Sequence, residues 1–306
     1  MRPGGLPERV ERCPFCPTHE SDTETSMFEL GQPWRVRSVL NRYPIVRPGR
    51  VEGMGGSTPG VGHHEVIIES RDHAADLSTM PLVEALEVLS VWSNRARFIE
   101  GLRDQPAFGV EALPELKVVS LFRNRGRRAG SSQPHPHSQI VGIPVLAGEA
   151  LSRHATYTRF LHNVDGEGGE SPLAWELREE RREGSRIIFD EEGVVAYCPW
   201  ASPRAFWVRL IFARRPERFA HLRDDELAVL GRILPNLIQR ALMASGASDY
   251  NVLVRDPPLG QPGEMTLEIV PRTGGDAGFE LGSGISLCVV RPERAAACIR
   301  DFAPHP

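Results

Sequence analysis

The segment His135-Pro-His-Ser-Gln139 carries the residue types in this chain that are best suited to chemistry. If the segment is an extended strand, alternate side chains share a face, so His135, His137 and Gln139 point the same way. A neutral imidazole can attack a phosphorus centre near pH 7, and the phosphoramidate that forms is reactive enough to pass the group onward. Gln139 can donate to a non-bridging phosphate oxygen. The segment therefore predicts transfer of a phosphate-linked group through a histidine, and its alternative interpretation is an ordinary surface turn.

A loop rich in glycine and serine precedes this segment. Gly126, Gly130, Ser131 and Ser132 can bring backbone N–H groups and hydroxyls close to phosphates. The simpler interpretation is that the glycines only permit tight turns.

Cys13 and Cys16 are the only two of the five cysteines that are spaced as a pair. The N-terminus lacks the apolar core of a signal peptide, so C-P-F-C indicates half a metal site more readily than a disulfide or a redox motif. Two further imidazoles would complete a tetrahedral zinc site. The spacing leaves those two ligands open, and a pair of free thiols remains the alternative.

The same order of structural elements occurs twice along the chain, which indicates duplication. The first copy contains extended segments at 34–46 and 64–70, a helix at 80–102, and strands at 118–124 and 135–144. The second copy contains strands at 194–203 and 206–213, a helix at 224–244, and strands at 250–256 and 264–271. We predict an α+β protein of two duplicated half-domains, each an antiparallel sheet with packed helices, at residues 1–150 and 151–306.

When the closing strands are aligned, only the first carries histidines. The aligned pairs are His135 with Glu264, His137 with Thr266, Gln139 with Glu268, and Ile140 with Ile269. The second half is therefore predicted to lack a catalytic centre. Residues 151–190 are predicted to be a linker that contains a helical piece at 171–183, and 291–302 a closing helix.

Composition narrows the class of protein. The chain has 306 residues, an apolar fraction of 41% and a formal charge of -4. It can fill a substantial core, has no apolar stretch long enough to span a bilayer, and shows no broad basic footprint for nucleic acid. We expect a cytoplasmic enzyme without a membrane or nucleic-acid partner. Most histidines outside the motif, including His63 and His64, are expected to be surface or packing residues.

The chain resembles the galactose-1-phosphate uridylyltransferase family of the histidine-triad superfamily. The resemblance runs from C-P-F-C through the segments at 34–44 and 64–73 and the H-P-H-S-Q motif to A-G-F-E-L-G-S-G at 277–284, nearly the whole chain. Within the superfamily, H-x-H-x-Q marks the transferase branch, whereas the hydrolase branch generally has a third histidine in place of Gln139.

The resemblance implies a role for each matching residue. His137 is implied as the nucleophile and Gln139 as its phosphate-binding partner. His73 and His135 are implied to join Cys13 and Cys16 around one structural zinc. The implied substrate contacts are Asn41 near the nucleoside, Asn124, Gly130 and Ser132 near the phosphates, and Glu280 at the hexose, supplied in dimeric relatives by the neighbouring subunit. Ser131 is a candidate phosphate contact from the loop composition alone.

The sequence also departs from the family. Several relatives hold a second metal with an H-x-H in the second closing strand, where this chain has Glu264-Met265-Thr266, so we expect that site to be absent. Three functions stay open. The first is transfer of UMP from UDP-glucose to galactose 1-phosphate in a homodimer. The others are phosphorolysis of an ADP-sugar or dinucleoside polyphosphate, and nucleotide binding without turnover.

Overall fold

The structure is a computed structural model that describes residues 12–49, 60–102, 115–146, 148–163 and 170–302. Residues 49–62 of the sequence form a second glycine-rich stretch, between the extended segments of the first copy, and most of it lies outside the described residues. His305, one of the histidines outside the motif, also lies outside them. Within the described ranges, no helix combines the length and the apolar character needed to cross a bilayer.

Within its described residues, the first half contains five strands and one long helix. The strands are β1 (Ser26–Leu30), β2 (Val36–Leu40), β3 (His63–Ile68), β4 (Val118–Arg125) and β5 (His137–Ile143). Helix α1 (Leu82–Gly101) connects β3 to β4. It buries Ala85, Val88, Leu89 and Trp92 at three- and four-residue spacing, as the sequence predicts for a helix with one apolar face.

The second half repeats this order. Its strands are β6 (Ile187–Glu191), β7 (Val194–Tyr197), β8 (Val208–Phe212), β9 (Tyr250–Arg255) and β10 (Thr266–Pro271), and helix α4 (Asp224–Ser245) connects β8 to β9. Two helices, α2 (Gly148–Asn163) and α3 (Pro172–Glu183), lie between the halves in sequence. Two more, α5 (Gly278–Ser283) and α6 (Pro292–Asp301), follow β10.

All ten strands form one antiparallel sheet in the order β1-β2-β3-β5-β4-β9-β10-β8-β7-β6. From either edge to the centre the two halves follow the same order, and they meet where β4 pairs with β9. The predicted α+β class with duplicated antiparallel halves is thus confirmed. The division of the chain at residue 150 stays a prediction.

Helices α1 and α4 pack together on one face of the sheet. Gly231 of α4 permits this close approach, because a Cβ at that position would lie 2.5 Å from the Leu86 side chain. Trp92 is fully buried beneath α1, and its Nε1 donates to the Ser138 hydroxyl at 2.7 Å. Burial of this large apolar interface holds the two halves to one sheet.

The other face of the sheet carries two smaller clusters. Ile67 belongs to the helix-side core, so its neighbours Val66 and Ile68 point to the opposite face. There they pack with Trp34, Val39 and Phe15, which lies between the two paired cysteines. In the second half the corresponding cluster is Val195, Tyr197 and Ile211, covered by Leu173 and Leu177 of α3. An N-terminal segment therefore covers one half and a helix the other.

The predicted linker at 151–190 is more structured than its composition indicated. The helical piece is confirmed as α3, which begins after Ser171, whose side chain accepts from the Ala174 N–H. A further helix, α2, and the edge strand β6 also fall in this range. The predicted closing helix is confirmed as α6.

Candidate active site and metal centre

Four side chains from separate parts of the chain meet beside the beginning of β5. Cys13 and Cys16 come from the N-terminal segment, His73 follows β3, and His135 immediately precedes β5. Their ligand atoms all lie within 4.8 Å of one another. The structure therefore brings together the four residues that the sequence assigned to a metal.

The distances fit a tetrahedral ion. Cys16 Sγ lies 3.3 Å from His73 Nδ1 and 3.6 Å from His135 Nδ1, and Cys13 Sγ lies 3.7 Å from His135 Nδ1. Ligand bonds of about 2.0–2.3 Å produce tetrahedral edges of about 3.3–3.8 Å. The other ring nitrogen of His135, Nε2, donates to the Ser70 carbonyl at 2.8 Å, which orients Nδ1 toward the cluster.

His137 is the first residue of β5, with only 5% of its surface exposed. Its Nδ1 donates to the His135 carbonyl at 2.8 Å, which leaves the lone pair on Nε2. Burial lowers the pKa of His137 to about 4, and the positive charge of Arg123 acts in the same direction. The ring is therefore neutral near pH 7, the form in which an imidazole is a nucleophile. Phe15 packs beside it, with ring centroids 5.5 Å apart.

A buried ion pair supports the strand that carries His137. Arg123 is fully buried in β4, and its Nε donates to Glu69 at 2.8 Å while Nη1 donates to the Tyr250 hydroxyl at 2.8 Å. The Glu69 N–H in turn donates to the Pro136 carbonyl at 3.1 Å. Because Pro136 precedes His137, these contacts hold the backbone at the point where the imidazole leaves it.

A polar cluster lies on the side of the sheet that carries His137. It is formed by Gln139, Asn41 and His64. Gln139 lies opposite Val66 in the β3–β5 ladder, so His64 is two residues away along β3, on the same face. His64 Nε2 lies 3.0 Å from Gln139 Oε1, and the Asn41 amide nitrogen lies 3.0 Å from His64 Nε2. The sequence interpretation missed His64 and treated it as a surface or packing residue.

Asn124 lies near the end of β4, and the loop between β4 and β5 exposes Gly130 and Ser132. Gly130 has a φ of +88°, which favours glycine, and a Cβ there would lie 3.7 Å from the Asn124 amide nitrogen. Asn124 Oδ1 accepts from Asn251 at 2.8 Å. Ser132 is exposed, whereas Ser131 is buried and its hydroxyl donates to the Gln133 carbonyl at 2.7 Å. Of the two serines, Ser132 is thus the one whose side chain is exposed.

Glu280 lies in α5, far along the chain from this cluster. Its side chain accepts from the Ala277 N–H at 3.0 Å and caps the helix. The surrounding segment is exposed, including Phe279, Leu281 and Val289. Within one chain, no described contact joins Glu280 to His137.

The second closing strand is occupied by ion pairs instead of histidines. Glu268 is 1% exposed and lies between Arg209, at 3.0 Å, and Arg255. Glu264 accepts from Ser171 at 2.7 Å. Thr266, aligned with His137, is 1% exposed, and its hydroxyl has no partner among the described residues.

Comparison with known proteins identifies the family that this site resembles. Residues 56–146 match the family model of the galactose-1-phosphate uridyl transferase N-terminal domain. The chain is 25% identical to an ADP-glucose phosphorylase of Arabidopsis thaliana, over 95% of this chain and 82% of that protein. It is 25% identical to a galactose-1-phosphate uridylyltransferase of Neurospora crassa, over 55% of this chain and 46% of that protein.

Solved structures show the same fold. A crystal structure of an ADP-glucose phosphorylase from Arabidopsis thaliana with bound ADP-glucose aligns with a TM-score of 0.81, covering 97% of this chain and 92% of that chain at 23% identity. The resemblance to the galactose-1-phosphate uridylyltransferase family, predicted from the sequence, is confirmed.

Proposed function

We propose that this relative of the galactose-1-phosphate uridylyltransferases is a nucleotidyltransferase that carries a nucleoside monophosphate on His137. The observation that carries the proposal is the hydrogen bond from His137 Nδ1 to the His135 carbonyl. It fixes the tautomer in which the lone pair lies on Nε2, the arrangement that a nucleophilic imidazole requires.

The reaction has two displacements at the same phosphorus. His137 Nε2 attacks the α-phosphorus of a nucleotide-sugar, an N–P bond forms, and the bond to the bridging oxygen breaks, so that the sugar 1-phosphate leaves. An oxygen of the acceptor phosphate then attacks the α-phosphorus, the N–P bond breaks, and the imidazole is restored. We assign Gln139, Asn124, Gly130 and Ser132 to the phosphate oxygens and Asn41 to the nucleoside.

The four metal-binding candidates suit zinc, because two thiolates and two imidazoles form a closed tetrahedral set. Zinc bound there would be structural and would fix the N-terminal segment against β5. The ligand His135 is two residues from His137, so an ordered metal site also orders the nucleophile. Four protein ligands would fill the tetrahedral coordination of the ion, which leaves no open position at which a substrate could bind.

The acceptor distinguishes two versions of this function. The uridylyltransferase version uses a hexose 1-phosphate and moves UMP from UDP-glucose to galactose 1-phosphate. The phosphorylase version uses inorganic phosphate and converts an ADP-sugar to ADP and a sugar 1-phosphate. Similarity to the Arabidopsis ADP-glucose phosphorylase over 95% of this chain and 82% of that protein supports the second version.

A second copy of the chain is the proposed partner. Glu280 lies on an exposed segment with the apolar side chains Phe279, Leu281 and Val289. Exposed apolar groups of this kind suit a protein interface. In a homodimer the segment would bring Glu280 to the hexose bound by the other copy.

The test is a labelling experiment with UDP-glucose and ADP-glucose, each radiolabelled in the α-phosphate. The expected result is acid-labile label on wild-type protein with one donor alone, and its release by galactose 1-phosphate or by inorganic phosphate. Initial-rate lines should be parallel, as in a ping-pong mechanism. Turnover without labelling, with intersecting lines, would favour direct transfer between two bound substrates. Nucleotide binding with neither label nor turnover would favour a binding protein.

A further inference from the structure

His64 is buried in β3, with 4% of its surface exposed, and it has three polar neighbours. The backbone N–H of Ile45 lies 3.2 Å from Nδ1, Gln139 Oε1 lies 3.0 Å from Nε2, and the Asn41 amide nitrogen lies against the ring. Its neighbour His63 points to the other face, where Nε2 pairs with Glu65 at 2.7 Å. His64 is therefore placed on the side of the sheet that carries His137 and Gln139.

The neighbours determine which nitrogen of His64 carries the proton. A backbone N–H can only donate, so Nδ1 must accept from Ile45 and the proton lies on Nε2. Nε2 then donates to the Gln139 atom 3.0 Å away, which must be the carbonyl oxygen of the amide. This assignment follows from the donors and acceptors and does not depend on how the amide was oriented.

The Asn41 amide does not compete for this proton. Its Oδ1 accepts from the Tyr43 N–H at 2.9 Å, which fixes the amide so that Nδ2 faces His64. Nδ2 is 3.0 Å from Nε2 and 3.4 Å from Nδ1, so it is near both ring nitrogens. An amide nitrogen has no lone pair to accept with, so this contact is an N–H group packed against the ring.

We infer that His64 is a positioning residue that makes Gln139 a hydrogen-bond donor toward the reacting phosphate. By holding Oε1, His64 turns the two N–H groups of the Gln139 amide away from itself. Without that contact the amide can rotate and present its oxygen, which would repel an anionic phosphate. The inference rests on the proposed function, because it assigns the orientation of a group that the proposed reaction uses.

The main test is a double-mutant cycle on the single-turnover rate of His137 labelling. His64→Leu should slow labelling about tenfold, the loss of one hydrogen bond, and Gln139→Leu about 100-fold, the loss of the phosphate donor. If His64 acts through Gln139, adding His64→Leu to Gln139→Leu should change the rate less than about twofold. Equal effects of His64→Leu in both backgrounds would overturn the inference.

Two further variants separate positioning from structural support. His64→Gln retains an N–H near the same point and should return the rate to within about threefold of wild type. His63→Gln alters the adjacent histidine on the other face, so it should leave the labelling rate of the folded protein unchanged. The dissociation constant of the nucleotide-sugar should stay within about twofold of the wild-type value in His64→Leu. A defect confined to binding of the nucleotide-sugar would contradict the inference.

A measurement that needs no activity keeps the inference separate from the proposed function. The ¹⁵N chemical shifts of the His64 ring in the wild-type protein should show Nε2 protonated and Nδ1 unprotonated. The Nε2 shift should change in Gln139→Leu. A proton on Nδ1 would overturn the inference even if labelling succeeds. Absence of labelling with the expected shifts would count against the proposed function alone.

Discussion

The two halves of the sheet have the same strand order, yet their closing strands carry opposite kinds of polar group. In β5, His137 and Gln139 are held by hydrogen bonds that leave Nε2 and, by inference, an amide N–H directed outward. In β10, the aligned residues are Thr266 and Glu268, and Glu268 is bound on both sides by arginine. Duplication thus supplied the same strand order twice, with the candidate nucleophile in the first copy and a carboxylate paired with arginines at the aligned glutamine position of the second.

The ladders extend this comparison to the neighbouring strands. Ile140 pairs with Glu65, and the aligned Ile269 pairs with Val208. Glu65 and Val208 are therefore equivalent positions, and Trp207, which precedes Val208, corresponds to His64. The second half lacks both the histidine that orients the glutamine and the carboxylate buried beneath it. The second half therefore differs from the first in the residues around the closing strand as well as in the nucleophile position.

Glu268 shows why the second closing strand is unsuited to catalysis. Burial alone would raise the pKa of this carboxyl group, but the charges of Arg209 and Arg255 lower it below the ordinary value. A carboxylate with both sides engaged by guanidinium groups neither attacks a substrate nor exchanges a proton near pH 7. The comparison between halves leads to four predictions.

The largest effect on turnover and labelling should come from removing the proposed nucleophile, His137. We expect His137→Ala to lower turnover by about 10⁴-fold or more and to abolish labelling, because it removes the proposed nucleophile. His137→Gly should regain activity with a nucleotide imidazolide, since the vacated space admits the imidazole that the substrate supplies. Labelling in His137→Ala that persists at the wild-type rate would show that another residue carries the nucleotide.

Removing a metal ligand in the first half should lower stability, whereas a cysteine substitution in the second half should not. Cys13→Ser should lower the metal content from about one zinc per chain and lower the melting temperature by about 10 °C, because the site fixes the segment that covers β5. Cys298 lies in α6, outside the metal cluster, so Cys298→Ser should change neither the metal content nor the melting temperature. Metal analysis and calorimetry on both variants check this, and unchanged melting of metal-free protein would contradict it.

Acid should destabilise the first half through the buried carboxylate of Glu65. Glu65 is buried and accepts two hydrogen bonds from Arg95, at 2.7 and 2.8 Å. Although burial acts to raise it, the contacts with His63 and Arg95 lower the pKa of Glu65 from 4.5 to about 2. The folded pKa is below the unfolded one, so the contribution is present above pH 4.5 and is lost as the pH falls toward 2.

The contribution of Glu65 should be about 3 kcal/mol at pH 7. Glu65→Gln should therefore lower the free energy of urea unfolding at pH 7 and flatten its decline between pH 5 and about pH 2, whereas the exposed Glu183→Gln should do neither. Hydrogen exchange at pH 3 should show a loss of protection in β3, where Glu65 lies, and Glu65→Gln should reduce the difference in β3 protection between pH 7 and pH 3. The same acid-induced loss in wild type and in Glu65→Gln would contradict the assignment to Glu65.

The parts of the site that the sequence predicted are those in which local pattern determines geometry. Alternation along a strand placed His137 and Gln139 on one face, and the family motif named His73 and His135 beside the cysteine pair. His64 was missed because its contact with Gln139 depends on the register between β3 and β5, which no local pattern specifies. Helix α2 was missed, and none of its described side chains is buried, so the sequence there has no core-facing stripe to indicate a helix.

The smallest effect should come from Thr266, which the repeat alignment places opposite His137. Thr266 is 1% exposed and its hydroxyl lacks a partner among the described residues. Thr266→Ala removes that hydroxyl and a methyl group, so it should lower stability by about 1 kcal/mol through the small cavity and leave the labelling rate within about twofold of wild type. Thr266→Val keeps the volume and removes only the unpaired hydroxyl, so its stability should equal or slightly exceed that of wild type.

These two Thr266 variants test the repeat alignment itself. If β10 has no catalytic role, calorimetry will distinguish Ala from Val while single-turnover labelling will not, because stability depends on packing and labelling depends on β5. A loss of labelling comparable to that of His137→Ala, in a variant that still melts like wild type, would mean that the second closing strand contributes to the reaction. The functional division between the halves would then be wrong, even though their shared strand order would stand.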